Sequence, residues 1–314
     1  MRAEPLQPTR VHRFYRGGAL LGRLRSEPEE DGFFPEDWLG STTPASNPGS
    51  EDTGQGLSRL EDGRLLRDAI ADDPIGWLGE AHVESFGIST ALLVKLLDAA
   101  ERLPVHAHPN DAFATSMLGS RFGKTEAWVV LATRERHAEV WVGLREPVAV
   151  ATYRDWIERQ DADSLLSSLN RVAVAAGAIV YVPAGLPHAI GAGILLAELQ
   201  QPTDFSIICE WDGFPIRSDD AHLGLGWDNA LEALDLSVHV PIRHLPDEAR
   251  RFFWVDERPE AAGRFAVLVT VQGTGKIDGM NARAGDAFAV PASANRFDVE
   301  GDLRVLRCQA PDPN

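Results

Sequence analysis

The chain is 314 residues long, enough for one large or two modest domains with a real hydrophobic core. Its formal net charge of -17 and pI near 4.9 argue against nucleic acid or an anionic membrane surface as a partner. The opening MRAEPLQPTRVHRFY lacks the apolar core of a signal peptide, no run approaches the roughly 20 apolar residues of a membrane span, and the expected location is the cytoplasm. Cys209 and Cys308 are the only cysteines, so neither a disulfide framework nor a cysteine-built zinc site is available, and any metal must be held by histidine and carboxylate.

In chain order, residues 1 to about 20 read as strand-rich, and 27 to 53, crowded with Pro, Gly, Ser and acids, as loop. Within that loop FFPEDWLGS carries three aromatics that either plug the open end of a barrel or touch a ligand. Helical patterns follow over 63–71 and 89–101. The second has Ser89 as N-cap and an apolar stripe of Leu92, Leu93, Leu96 and Leu97, and both are expected outside the sheet. From Leu103 the chain becomes a series of short apolar runs, AWVVLAT, VWVG, IVYVP, ILLAELQ and FSIICEW, interrupted by a helical insertion near 153–170. After Ser218 the pattern is helical again around LGLGWDNALEALDL, and strands resume from about Phe252. Short strands, Gly/Pro turns and few long helices predict an antiparallel barrel or sandwich.

Two stretches carry chemistry. In LPVHAHPNDAFATSMLGSRFGKTE, His106 and His108 are one residue apart, so on a strand both point to the same face, which is metal-ligand spacing. Glu126, eighteen residues on, opens the next apolar strand and is able to meet them. In GAIVYVPAGLPH a strand is closed by a Pro-Ala-Gly turn that delivers His188. Asp111 is placed to cap the helix-like DAFATSML, and His12, His82, His137, His222, His239 and His244, which have no partner at ligand spacing, read as structural.

The order H-x-H, Glu, then G-x5-P-x-G-x2-H resembles the paired motifs of the cupin superfamily. GDAFAVPASANRF at 285–297 repeats the shape of the His188 stretch without its histidine. The expected fold is therefore mainly β, a bicupin-like pair of antiparallel β-barrels (jelly rolls) with peripheral helices. Residues 1–215 are expected to form an N-terminal barrel with the metal site, 216–250 a helical connector, and 251–314 a degenerate barrel without a metal site.

Within that superfamily the chain resembles the type I mannose-6-phosphate isomerases of the bacterial class. The resemblance rests on LPVHAHPNDAFA, GKTEAW, PAGLPHAIGAGILLAELQQPTD and ALEALDL, in that order. It implies metal ligands at His106, His108, Glu126 and His188, the first of which is a glutamine in the family. It implies zinc, although three imidazoles and a carboxylate also suit Mn, Fe, Co or Ni. It places the family's lysine at Lys124 and its glutamate at Glu198, the candidates for proton transfer and for holding substrate oxygens, with Glu198 as an orienter of a ligand histidine the alternative. Asp204 and Gln200 also match family positions. The family's catalytic arginine falls on Ile208, which cannot stabilise an enediolate or bind phosphate, so another cation, Arg121 or Arg217, would have to reach in.

The implied activity is aldose-ketose isomerisation, mannose 6-phosphate to fructose 6-phosphate or a related sugar, with a small sugar or sugar phosphate as partner. The alternatives are a metal-dependent cupin oxygenase and a non-catalytic sugar-binding protein.

Overall fold

The computed structural model describes residues 1–46, 54–257, 263–294 and 296–313. The part of the expected loop from 47 to 53 lies outside the described residues. The architecture is mainly β, and every pairing between the described strands is antiparallel.

Three sheets are stacked. A five-stranded outer sheet runs in the order Ile207–Ile208, His106–Ala107, His188–Ile190, Ala138–Leu144, Leu169–Val174. The central six-stranded sheet runs Arg10–Val11, Glu36–Leu39, Leu93–Ala99, Ile194–Gln200, Glu126–Thr133, Ile179–Val182. Between these two lies a core that includes Leu97, Trp128, Val130, Val140, Val142, Ile190 and Leu196. The other face of the central sheet presents Val94, Leu96, Ala127, Val129, Ala197 and Leu199 to Val267, Val269, Ala289 and Cys308 of a third sheet. That sheet runs Glu4–Pro5, Ala287–Val290, Ala266–Gln272, Arg304–Gln309, Trp254–Asp256, so the first strand of the chain closes onto its C-terminal part.

The helical reading of 89–101 is corrected: Leu93–Ala99 is a strand, and all seven of its residues are buried. A strand covered on both faces loses the polar alternation of a half-exposed one and reads as a nearly continuous apolar run, which mimics a helical stripe. The 63–71 pattern is the helix Leu66–Asp72, and the insertion is the helix pair Val150–Glu158 and Ala162–Ser168. FSIICEW contributes only the strand Ile207–Ile208, and LGLGWDNALEALDL folds as a helix Trp227–Ala230 followed by a tight turn Leu231–Ala233. No helix among the described residues is long and apolar enough to cross a membrane.

The strand Leu93–Ala99 also anchors the segment that precedes the first helix. Asp98 accepts the backbone N–H groups of Gly18, Leu20 and Leu21. Gly17 lies so close that a Cβ there would sit 1.7 Å from the Asp98 carbonyl oxygen, so only glycine permits this approach. The clamp lays residues 13–15 along the rim of the cavity between the outer and central sheets.

Candidate active site

The register of the outer sheet brings the histidines together. His188 is paired across from His106, and His108 projects from the same face as His106. The Pro-Ala-Gly turn is fixed to the H-x-H stretch by a bond from Gly185 N–H to the His108 carbonyl, 2.7 Å, with Gly185 at φ +93. The ring centroids are 4.2 Å apart for His106 and His188, 4.8 Å for His108 and His188, and 5.0 Å for His106 and His108.

Each Nδ1 faces a backbone carbonyl, Pro104 at 2.8 Å for His106, Phe205 at 2.7 Å for His108 and Leu186 at 2.7 Å for His188. A carbonyl only accepts, so each Nδ1 carries the proton and each Nε2 is left with a lone pair. One nitrogen from each ring lies within 4.8 Å of the others, and the buried His188 Nε2 has no hydrogen-bond partner among the described residues. Burial and mutual repulsion hold the rings neutral. His106 is pushed well below the usual range by burial and by His188. His188 is lowered to about 3 by burial and by His108, and His108 is lowered by burial and by Lys124. Neutral nitrogen donors converging on one point, one of them orphaned, fit a divalent metal ion, so this group is able to hold one.

Glu126 sits beside this group, its Oε1 3.0 Å from His108 Nε2 and 3.0 Å from Lys124 Nζ, its Oε2 3.9 Å from His188 Nε2. Burial would raise its pKa, but Lys124 and His108 hold it well below the usual carboxylate range. Lys124 is itself buried and lies 3.2 Å from His108 Nε2. Its loop is held by Asp111, which accepts from Gly123 N–H and from the Gln201 amide. The expected cap at Asp111 is corrected: Asn110 accepts the Phe113 N–H and caps the helix Asp111–Met117.

Glu198 lines the same cavity from the central sheet, 3.1 Å from Lys95 Nζ and accepting from Trp128 Nε1 at 3.2 Å. Burial, then repulsion from Glu126, raises its pKa to about 7 in spite of Lys95. Two carboxylates in one cavity are thus split, one held ionised and one poised near neutrality, the pattern of acid-base sites.

Four further residues at this cavity escape motif reading. Lys95 points into it from the misread strand, 3.8 Å from Glu36 and 4.0 Å from Asp204. A lone lysine inside LLVKLL was the available signal, since a charge in a strand buried on both faces requires partners. Arg13 bridges Glu36 at 3.1 Å and Asp204 at 2.9 Å. Burial alone would raise Asp204, but Arg13 and Lys95 bring it down to about 2. Tyr15 donates to Glu36 Oε1, and Trp38 donates to Glu36 Oε2 at 2.6 Å. No spacing in the N-terminal stretch distinguishes Arg13 from Arg10 or Arg16. Of the FFPEDWLGS aromatics, Trp38 is fully buried, whereas Phe33 and Phe34 are exposed.

The two arginines expected to reach in are elsewhere. Arg121 donates to the Ser85 carbonyl and stacks on Phe86 and Phe122 in a separate surface pocket, and Arg217 is exposed beside Asp219 and Asp220. Ile208 lines the cavity at the position next to His106.

No family model matches the chain. It is 40% identical over 135 residues to the mannose-6-phosphate isomerase of Streptococcus mutans, covering 42% of this chain and 41% of that protein. It is 41% identical over 113 residues to a mannose-6-phosphate isomerase of Bacillus subtilis, covering 36% and 34%. The matched stretches therefore span well under half the length of these curated relatives. The crystal structure of the mannose 6-phosphate isomerase from Bacillus subtilis superimposes with a TM-score of 0.75 at 22% identity, over 98% of this chain and 100% of that one. Part of the chain is similar in sequence to mannose-6-phosphate isomerases, and the whole chain has their fold. The cavity is lined by Lys124, Glu198, His106 and Arg13, with Ile208 beside them.

Proposed function

We propose that the chain is a metal-dependent aldose-ketose isomerase that interconverts mannose 6-phosphate and fructose 6-phosphate, or the related sugars, in the cytoplasm. His106, His108, His188 and Glu126 would hold the metal. Zinc is the first choice for three imidazoles and a carboxylate, and Mn, Fe, Co and Ni suit the same donors. The observation that carries the reading is the meeting, in one buried cavity, of three neutral imidazoles with a carboxyl that titrates near 7.

A bound divalent ion supplies Lewis-acid polarisation of the sugar's carbonyl and neighbouring hydroxyl oxygens. Glu198 acts as the proton carrier: as carboxylate it takes the proton from C2 of the aldose, the O2 proton passes to O1 within the enediolate, and as carboxylic acid Glu198 returns its proton to C1, giving the ketose. Its position near neutrality suits both directions. Lys124, held against Glu126 and His108, donates to the substrate oxygen that gains charge as the C–H bond breaks. The apolar part of the wall, with Leu97, Leu103 and Ile190, limits the water beside the intermediate.

The test is a metal analysis of the purified protein coupled to an isomerase assay on mannose 6-phosphate and on free mannose, with detection of the fructose-type product. Turnover that is lost on chelation and in Glu198→Gln is expected. Fully metal-loaded protein that binds either sugar but turns over neither would leave a sugar-binding protein and end the isomerase reading.

A further inference from the structure

Asp111 does not cap its helix, and what its carboxylate holds instead bears on Lys124. Its Oδ1 accepts from Gly123 N–H at 2.7 Å and from the Gln201 side-chain amide at 2.7 Å. The same Gln201 accepts from Thr125 N–H through Oε1 at 2.9 Å, and its own backbone N–H donates to the Thr125 carbonyl at 3.2 Å. The two side chains thus close a ring of hydrogen bonds that grips the residue on each side of Lys124. Inside that ring Lys124 N–H donates to the Pro109 carbonyl at 2.9 Å, and Thr203 Oγ1 donates to the Gly123 carbonyl at 2.7 Å. The loop is pressed so closely on Pro109 that a Cβ at Gly123 would stand 2.4 Å from the Pro109 oxygen.

Asp111 and Gln201 border a separate surface cavity, with Arg121 and Arg251, rather than the cavity of the histidines. They can therefore reach the reacting atoms only through the loop they hold. A lysine carries its charge on a flexible four-carbon stem, so where the backbone is anchored decides where the ammonium can stand. Here it stands 3.0 Å from Glu126 Oε1 and 3.2 Å from His108 Nε2. We propose that Asp111 and Gln201 are positioning residues that fix the Lys124 backbone and so aim its ammonium at the substrate oxygen. The part of Lys124 in turnover rests on the isomerase reading above, whereas the anchoring is measurable without it.

Lys95, Lys124 and Lys276 are the only lysines of the chain; the first two are buried and the third is exposed. The test labels the full-length, metal-loaded protein briefly with acetic anhydride and follows each lysine by peptide mass spectrometry, with Lys276 as reference. In Asp111→Ala, and independently in Gln201→Met, acetylation of Lys124 is expected to rise about fivefold or more while Lys95 stays slow. Asp111→Asn keeps an oxygen that accepts both N–H groups and is expected to restore the slow rate at Lys124. In isomerase assays Asp111→Ala is expected to lower kcat about tenfold or more with KM within about threefold. In a Lys124→Met background the same change is expected to cost less than about twofold further. Unchanged Lys124 labelling in both variants, or a rise shared by Lys95, would overturn the proposal, and so would kinetic losses that multiply in the Lys124→Met background. Labelling that rises at Lys124 alone and recovers in Asp111→Asn, in protein that turns over neither sugar, would uphold the anchoring and end the isomerase reading.

Discussion

His106, His108 and His188 each give their Nδ1 proton to a main-chain carbonyl, so ring orientation depends on strand and turn geometry rather than on another side chain. Substitution of one ring should therefore remove a ligand without loosening the other two. His188→Ala is expected to lower bound metal per chain by more than about tenfold while the fold persists, read by metal analysis beside circular dichroism. Glu198 makes a different prediction. Its folded pKa of about 7 lies above the ordinary carboxyl value of 4.5, so the metal-free fold binds that proton more tightly than the unfolded chain does. The resulting stability is fully present below pH 4.5 and is lost as the pH rises to about 7, by an amount on the order of 3 kcal/mol. Urea unfolding of the metal-free protein and of Glu198→Gln at pH 4.5 and pH 8 checks this: the loss on raising the pH should be much smaller in the variant. The spacing of the H-x-H and P-x-G-x2-H motifs pointed to the three histidines, which the fold brings together, whereas Glu198 was singled out only by the family resemblance. Arg13 and Glu36 were not, because they meet Asp204 only through the chain's fold, across 191 residues for Arg13 and Asp204.

The strand Leu93–Ala99 shows where reading by element ran out. Its neighbours AWVVLAT and ILLAELQ had lengths and β-branched or turn-bounded surroundings that identified them as strands. LLVKLLDA offered leucines at positions 92, 93, 96 and 97, which fit a helical face as well as a strand with both faces covered. Only the third sheet, which covers Val94 and Leu96 from the far side, decides between them. On the opposite face, toward the cavity, Lys95 is a buried charge among Glu36, Glu198 and Asp204. Lys95→Ala removes the cation and leaves those carboxyls to repel one another. It is expected to cost about 3–5 kcal/mol, measured by denaturant unfolding at pH 7. Lys95→Met, which keeps the stem, should recover part of the lost packing but not the charge balance.

At the scale of the whole molecule, mainly β architecture was evident from the spacing of short apolar runs and turns, whereas the stacking of three sheets was not, because no local pattern records which sheet covers which. The domain division expected at 215 to 250 bears on unfolding. One core cluster includes Leu20, Val94 and Leu199 together with Phe253, Val267 and Cys308. We propose that the two parts unfold together: differential scanning calorimetry is expected to give one transition, and a chain ending near 250 is expected to lack a cooperative one. Two resolved transitions in the intact protein would count against this.

Glu4 and Pro5 pair with Ala289 and Phe288, and the Ala3 N–H donates to Asp278, so the first strand finds its partner almost at the other end of the chain. On a ribosome adding about 5–20 residues per second, that partner emerges on the order of 15 to 60 s after the strand itself. Until then the first strand must wait without that partner, and the third sheet can close only after Ala287–Val290 and Arg304–Gln309 have left the exit tunnel.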